Sequence, residues 1–217
     1  MSLCQCQGIE SLFDHHLAAS QLERVRRRGP PKTTWLLVEA LRAQGVRGRT
    51  LLDIGGGVGA VQHQLLASGI REATNVDASS AYLRAARSEA ERLGFEGRVR
   101  YHHGNFVDLA RGIPPADIVT LDRVICCYDD MERLVAASAE KAHRLYGLVY
   151  PRDAWWTRLG IRFLNLGHKI RGNPFRVFAH RTSTVESILA ARGLVRAFSR
   201  NAGLWQVALF ARKAPSS

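Results

Sequence analysis

The sequence predicts a doubly wound α/β fold, and three observations carry that prediction. Short apolar runs alternate with longer amphipathic ones through the middle of the chain, the pattern of a parallel sheet with crossover helices. A glycine-rich turn, Gly55-Gly56-Gly57-Val58-Gly59, joins the first of those apolar runs to a helix-like stretch. The last two strand-like runs, 194–199 and 204–212, close around Asn201-Ala202-Gly203 and read as an antiparallel hairpin. With 217 residues, the chain can bury one full α/β core.

The elements follow in order. Residues 9–28 read as a helix with Leu12, Phe13, His16, Leu17 and Ser20 near one face, ended by Gly29-Pro30-Pro31. A second helix starts at Lys32 or Thr33, carries the stripe Leu36, Leu37, Ala40 and Leu41, and stops near Gly45. These helices, within residues 1–45, precede the first strand and are expected over the cleft at the strand ends. Residues 46–217 are expected to form the main domain. It begins with a strand at 50–54 and a helix at about 58–68. A strand at 73–77 leads to a helix at 80–93, capped by Ser79 or Ser80 and ended by Gly94. A strand near 98–103 follows, and Pro114-Pro115 turns the chain into a strand at 117–122. Then come a helix at about 130–143, a strand at 145–151 and a helix at 182–192 with Thr182 or Ser183 as cap.

Residues 152–180 are long for a connection. They hold Trp155, Trp156, Phe163, Leu164, Phe175 and Phe178 among Arg152, Arg158, Arg162, Lys169, Arg171 and Arg176. An amphipathic helix near 154–170 and a loop at 171–174 are expected. Beside the strand ends, such an insert is placed to cap a substrate. Extra core, a dimer contact and a peripheral membrane-surface helix are the other readings.

Composition sets bounds. No run of 18 apolar residues is present, so no transmembrane segment is expected. The start, Met1-Ser2-Leu3-Cys4-Gln5-Cys6, has no charged or apolar signal region, which implies a cytoplasmic protein. Net charge is +12, carried by arginine, since lysine stands only at 32, 141, 169 and 213. The cluster Arg24-Val25-Arg26-Arg27-Arg28 is a solvated face or an anion-binding rim. Cys4-x-Cys6 matches no standard zinc spacing, and Cys126-Cys127 reads as a pair of small core or pocket residues. No metal is expected.

The glycine turn has two chemical readings. Gly55-x-Gly57-x-x-Ala60 satisfies a dinucleotide fingerprint. However, Asp53 stands two residues before the first glycine, where a carboxylate would repel a pyrophosphate and could hold an ammonium group. A second acid, Asp77, ends the next strand-like run and can accept both hydroxyls of a ribose. Gly104-Asn105-Phe106 and Leu121-Asp122-Arg123 then stand at two further strand ends, a series that a dinucleotide enzyme does not need.

On these motifs the chain resembles the class I S-adenosylmethionine-dependent methyltransferases over roughly residues 30–212. The resemblance implies a Rossmann-like methyltransferase fold: a seven-stranded, mostly parallel sheet with the antiparallel C-terminal hairpin. It implies S-adenosylmethionine as cofactor. Asp53, Gly55, Gly56 and Gly57 then hold the methionine end, with the Gly55 and Gly57 amides as donors. Asp77 accepts the ribose hydroxyls and Ala78 lies along the adenine. Asn105 bonds the adenine edge, Phe106 packs on its ring, and Asp122 faces the sulfonium or the substrate. Many relatives carry Asp at the Asn105 position.

The catalytic residues stay unassigned. His102, His103, Tyr128, Tyr150, His168 and His180 are weak candidates for a base, and Asp122, Asp129 and Asp130 show no companion pattern for a metal-dependent catechol site. The segment Asp122-Arg123-Val124-Ile125 lacks the Pro-Pro-aromatic motif of adenine N-methyltransferases, which disfavours nucleic acid as acceptor. The stretch from Asp122 to Tyr128 is similar to magnesium-protoporphyrin O-methyltransferases, which esterify a porphyrin propionate. The leading expectation is O-methylation of a small-molecule carboxylate or hydroxyl. An RNA methyltransferase and a non-catalytic S-adenosylmethionine-binding protein are the alternatives. The oligomeric state has no signature in the sequence.

Overall fold

A computed structural model describes residues 9–10, 12–173 and 175–213. Seven strands form one sheet: β1 (Thr50–Ile54), β2 (Glu72–Asp77), β3 (Val99–His103), β4 (Ala116–Asp122), β5 (Ala142–Pro151), β6 (Leu194–Ala202) and β7 (Trp205–Arg212). Their order is β3-β2-β1-β4-β5-β7-β6. The first five are parallel, while β7 runs antiparallel to both β5 and β6. The expected seven-stranded sheet and C-terminal hairpin are therefore present.

Consecutive residues of the central strands explain the layering. Leu51, Ile118, Leu145 and Leu209 belong to one buried cluster. Their chain neighbours Leu52, Val119, Tyr146 and Phe210 belong to another. Side chains alternate across a pleated strand, so both faces of the sheet must be covered. Helices α1 (His15–Arg28), α2 (Lys32–Arg42), α3 (Ala60–Ala67) and α4 (Ser80–Arg92) precede β3. Leu37 and Leu41 of α2 and Leu65 of α3 cover the first face. The other face is covered by Leu134 and Val135 of α6 (Met131–Glu140) and by Val185 and Leu189 of α8 (Thr182–Ala190). Each fully buried Leu contributes on the order of 2 kcal/mol.

Several local expectations need correction. The helix expected over 9–28 is interrupted before His15, because the Asp14 carboxylate accepts from the Leu17 amide at 2.9 Å and caps a new start. Its buried face is Ala18 and Leu22 rather than the one containing His16 and Ser20, which are exposed. At α8, neither Thr182 nor Ser183 caps: the cap position is Arg181, without a side-chain bond. Thr182 instead accepts from Gln206 Nε2 at 2.8 Å, so tertiary contact takes the hydroxyl. A short helix, α5 (Phe106–Leu109), was not foreseen. Of the two candidate caps of α4, Ser79 accepts from the Tyr82 amide. The insert contains α7 (Trp155–Ile170), close to the helix expected there. Cys4 and Cys6 lie outside the described residues.

Candidate functional site

Three acids end three adjacent strands: Asp77 on β2, Asp53 near the end of β1 and Asp122 on β4. Neighbouring strands lie about 4.8 Å apart, so the acids form a row roughly 10 Å long. The strand order reverses between β1 and β4, the point at which helices leave opposite faces and open a crevice. A cavity of about 290 Å³ lies there. It is lined by Asp53, Gly55, Gly56, Gly57, Asp77, Ala78, Asn105, Phe106 and Asp122, which is every expected cofactor-site residue.

The acids differ in what already satisfies them. Asp77 accepts from the Gly57 amide at 2.9 Å and the Ser79 amide at 2.8 Å, so both its oxygens are engaged. Burial raises its pKa against those bonds. Asp53 is 1% exposed. Thr120 Oγ1 donates to its Oδ1 at 2.7 Å, while Oδ2 is buried without a partner among the described residues. Burial, with smaller repulsion from Asp122 and Asp77, pushes its pKa up to about 7. Asp122 accepts from Thr34 Oγ1 through Oδ2, and its Oδ1 has no hydrogen-bond partner. Arg123 Nε stands 3.6 Å from that oxygen. Burial raises the Asp122 pKa, with Arg123 opposing. A row of buried carboxylates with orphaned oxygens fits a cationic ligand and disfavours an anionic one. The ammonium and sulfonium of S-adenosylmethionine fit; a pyrophosphate does not.

The glycine loop corrects part of the expectation. Neither the Gly55 nor the Gly57 amide is left for a ligand: Gly55 donates to the Val76 carbonyl at 2.7 Å and Gly57 to Asp77. Gly55 has φ +62°, and a Cβ there would lie 2.4 Å from Val124 Cγ2. A Cβ on Gly56 would lie 2.7 Å from the Asn75 amide. These two glycines are demanded by the protein's own side chains as much as by any ligand.

Asn105 also differs from its expected role. Its Oδ1 accepts from Tyr128 Oη at 2.7 Å and caps α5 through the Val107 amide at 3.3 Å, and its Nδ2 donates to Asp108 at 2.7 Å. The side chain thus holds the cavity wall, with its groups spent inside the protein. Phe106 lines the cavity while packed into the main core. Among the described residues none of 152–180 lines the cavity; its lining includes Ile9, Phe13, Gln21, Arg24, Pro31 and Thr34. The insert reaches it at second hand, with Phe175 stacked edge-on against Phe13 at 5.7 Å.

Of the candidate bases, only Tyr128 lines the cavity among the described residues. His180 Nε2 bonds the Ile125 carbonyl at 2.8 Å and His168 Nδ1 the Phe175 carbonyl at 3.2 Å. His103 Nε2 bonds the Ala78 carbonyl, and Tyr150 is buried in β5. Asp130 caps α6. Cys127 lines the cavity, its Sγ 3.8 Å from that of buried Cys126, and neither forms a disulfide among the described residues. Among the described residues no group of three or more His, Cys, Asp or Glu is placed to hold a metal.

Sequence reasoning missed Thr34, Arg123 and Asn75. Arg123 is the one non-glycine residue with positive φ, +63°, among the described residues. Its Nη2 donates to Thr33 at 2.7 Å, and its guanidinium lies 5.2 Å from the Trp205 ring centre. Asn75 is fully buried, with neither amide atom bonded. No local signal marks a polar strand residue as buried against a glycine 19 positions away.

The methyltransferase domain family model matches residues 51–145, from β1 to the start of β5. Residues 51–145 form a methyltransferase domain by that match. The solved structure of magnesium protoporphyrin IX methyltransferase from Synechocystis PCC 6803 with bound S-adenosylmethionine superposes on this chain with a TM-score of 0.71. Identity is 17%, over 98% of this chain and 99% of that one. An O-methyltransferase family protein from Burkholderia thailandensis superposes at 0.72 with 20% identity, over 96% of this chain and 64% of that chain. A candidate RNA methyltransferase from Pyrococcus horikoshii reaches 0.61 with 14% identity, over 88% and 86%. At such identities the likeness is one of fold, and their names range from a porphyrin methyltransferase to a candidate RNA methyltransferase. Comparison with curated proteins finds no sequence match.

Proposed function

We propose that this methyltransferase O-methylates a small molecule through a carboxylate or hydroxyl, with a carboxylate favoured. The carrying observation is Arg123. It occupies a left-handed conformation that glycine would adopt without strain, and it lines the cavity beside Asp122. A strained cation kept at a site points to a use for its charge. Arg24 lines the same cavity. Two arginines on the cavity wall suit an anionic acceptor, which they hold by charge-assisted hydrogen bonds.

The bound cofactor supplies an electrophilic methyl group. The chain's part is then alignment and exclusion of water. Asp53 takes the ammonium with its orphaned Oδ2, Asp77 accepts the ribose hydroxyls, and Ala78 and Phe106 flank the adenine. Asp122, fixed by Thr34, faces the sulfonium side. Arg123 orients the acceptor oxygen toward the methyl group, and the residues from Ile9 to Thr34 close the cavity over both. A carboxylate acceptor arrives ionised and needs no general base. For a hydroxyl, Asp122, its pKa raised, is the nearest group able to take the proton.

The test is methyl-labelled S-adenosylmethionine added with the enzyme to an extract of its host, followed by separation of solvent-soluble, RNA and protein fractions. Base-labile label in the soluble pool is the expected result and marks a carboxyl ester. Label in RNA overturns the proposal. Label nowhere, with cofactor still bound, points to a binding protein. With the acceptor in hand, Arg123→Gly should raise its KM about tenfold or more while leaving S-adenosylhomocysteine affinity unchanged.

A further inference from the structure

Helix α7 is turned the wrong way round for a helix of the core. Its inner side carries Thr157, which is 3% exposed, together with Asn165 and His168. Asn165 is held by two bonds to the Val177 backbone, at 2.7 and 2.8 Å, and His168 stacks near Phe175. Those contacts fix the rotation of the helix about its axis. The outer side then presents Trp155, Leu159, Phe163, Leu166 and Ile170. At 100° per residue these five fall within an arc of about 80°. Trp155 is 75% exposed, Phe163 65% and Ile170 78%. An apolar stripe running the length of a 16-residue helix, about 24 Å, faces away from the protein.

Charge identifies what covers it. Arg158, Arg162 and Lys169 lie along one flank of the stripe, Arg158 paired with Asp153 at the helix start. From Ala154 to Val185 the sequence contains six Lys or Arg residues and no Asp or Glu. A second copy of this face would bring the same cations against themselves. RNA would meet the cations and leave the apolar stripe without a partner. A bilayer with anionic headgroups satisfies both: the stripe enters the acyl boundary, the flank meets the phosphates, and Trp155 and Trp156 sit where indole rings settle. No helix among the described residues is long and apolar enough to cross a membrane, so the contact lies in the interface plane.

We propose that α7 docks this methyltransferase on the surface of an anionic lipid bilayer. The anchoring strap explains why the insert lies outside the cavity. Its Phe178 amide donates to the Cys126 carbonyl at 2.7 Å, and Phe175 touches Phe13, so the helix is tied to the cavity wall while its free face points outward.

The experiment is flotation of the full chain with vesicles of phosphatidylcholine alone and of phosphatidylcholine mixed with phosphatidylglycerol. Binding should be confined to the mixed vesicles and should weaken as salt is raised. Phe163→Glu combined with Leu166→Glu should cut vesicle affinity by about tenfold or more. Arg162→Glu combined with Lys169→Glu should do the same through charge alone. None of these residues lines the cavity, so unchanged affinity for S-adenosylhomocysteine certifies the fold of each variant. Should the first pair fail to fold, Ile170→Glu, the most exposed site, carries the test. Absence of binding to the mixed vesicles at low salt overturns the proposal. So does vesicle binding that the apolar variants leave intact. A dimer in light scattering that Phe163→Glu dissociates assigns the face to a second copy and overturns it too.

Discussion

A methyl group added at Gly55, beside the strand-end acids, would lie 2.4 Å from Val124; one added at Gly160, on α7, would meet nothing within 4 Å. The two regions lie in one chain and are built under opposite constraints. Around β1 each backbone turn is set by a neighbour already in place: Val76 for Gly55, Asp77 for Gly57, Asn75 for Gly56. On α7 only the inner side is held, and among the described residues the outer apolar stripe stays exposed. Dense mutual packing at the first region keeps three carboxylates in register, where their repulsion would otherwise spread them. The open second region costs stability that a partner can return.

Substitutions can break this contrast. The largest effect is expected for Gly55→Ala, which meets both the Val124 methyl and a φ of +62°, and should lose about 3 kcal/mol or more in chemical denaturation. A loss below 1 kcal/mol would mean the loop is softer than its packing implies. Next, Asp77→Ala removes the acceptor of two backbone amides at the cofactor loop. Affinity for S-adenosylhomocysteine, read by calorimetry, should fall on the order of 30- to 100-fold with the fold retained. Wild-type-like affinity in that variant would reject the ribose assignment.

A pH series sharpens the same contrast. Burial raises the Asp53 pKa, so the ligand-free protein is most stable with this carboxyl protonated. That stability is present below the ordinary carboxylate range and is lost as pH rises through about 7. A cation needs the ionised form, so S-adenosylmethionine affinity should run the other way. It should weaken up to about tenfold per pH unit below about 7. Asp53→Asn should bind weakly at every pH, without that slope. A smaller effect is expected for Tyr128→Phe, which frees Asn105 Oδ1 from its 2.7 Å bond and should cost about 1 kcal/mol. Gly160→Ala should be the mildest, gaining roughly 0.5–1 kcal/mol because the helix is regular and the space open.

Much of the fold was legible because the central strands and helices carry their own periodicity. The order of elements from Thr50 to Arg212, the terminal hairpin and the insert helix all follow from runs of apolar residues and their punctuation by glycine and proline. The strand-end acids were legible for the same reason: a strand has a definite end, and a carboxylate there stands out from the apolar run before it. The side-chain partners were not. Asn105 looked available for a ligand, yet Tyr128 and Asp108 take its groups. The N-terminal helix was assigned a face containing His16 and Ser20. It buries Ala18 and Leu22, because Asp14 restarts the helix and α4 supplies the surface it meets.

Sequence by itself determined the doubly wound sheet, the row of acids at Asp77, Asp53 and Asp122, and the presence of an amphipathic helix after β5. These depend on periods of two and 3.6 residues and on strand ends, which are properties of neighbours along the chain. Tertiary structure alone decided that Arg123 stands at the cavity wall beside Asp122, that the insert's described residues stay out of the cavity, and that α7 shows its apolar face outward. Those outcomes depend on which surfaces meet after long-range packing. A helix carries its stripe in its sequence, but which way the stripe points is settled by the bonds on its other side.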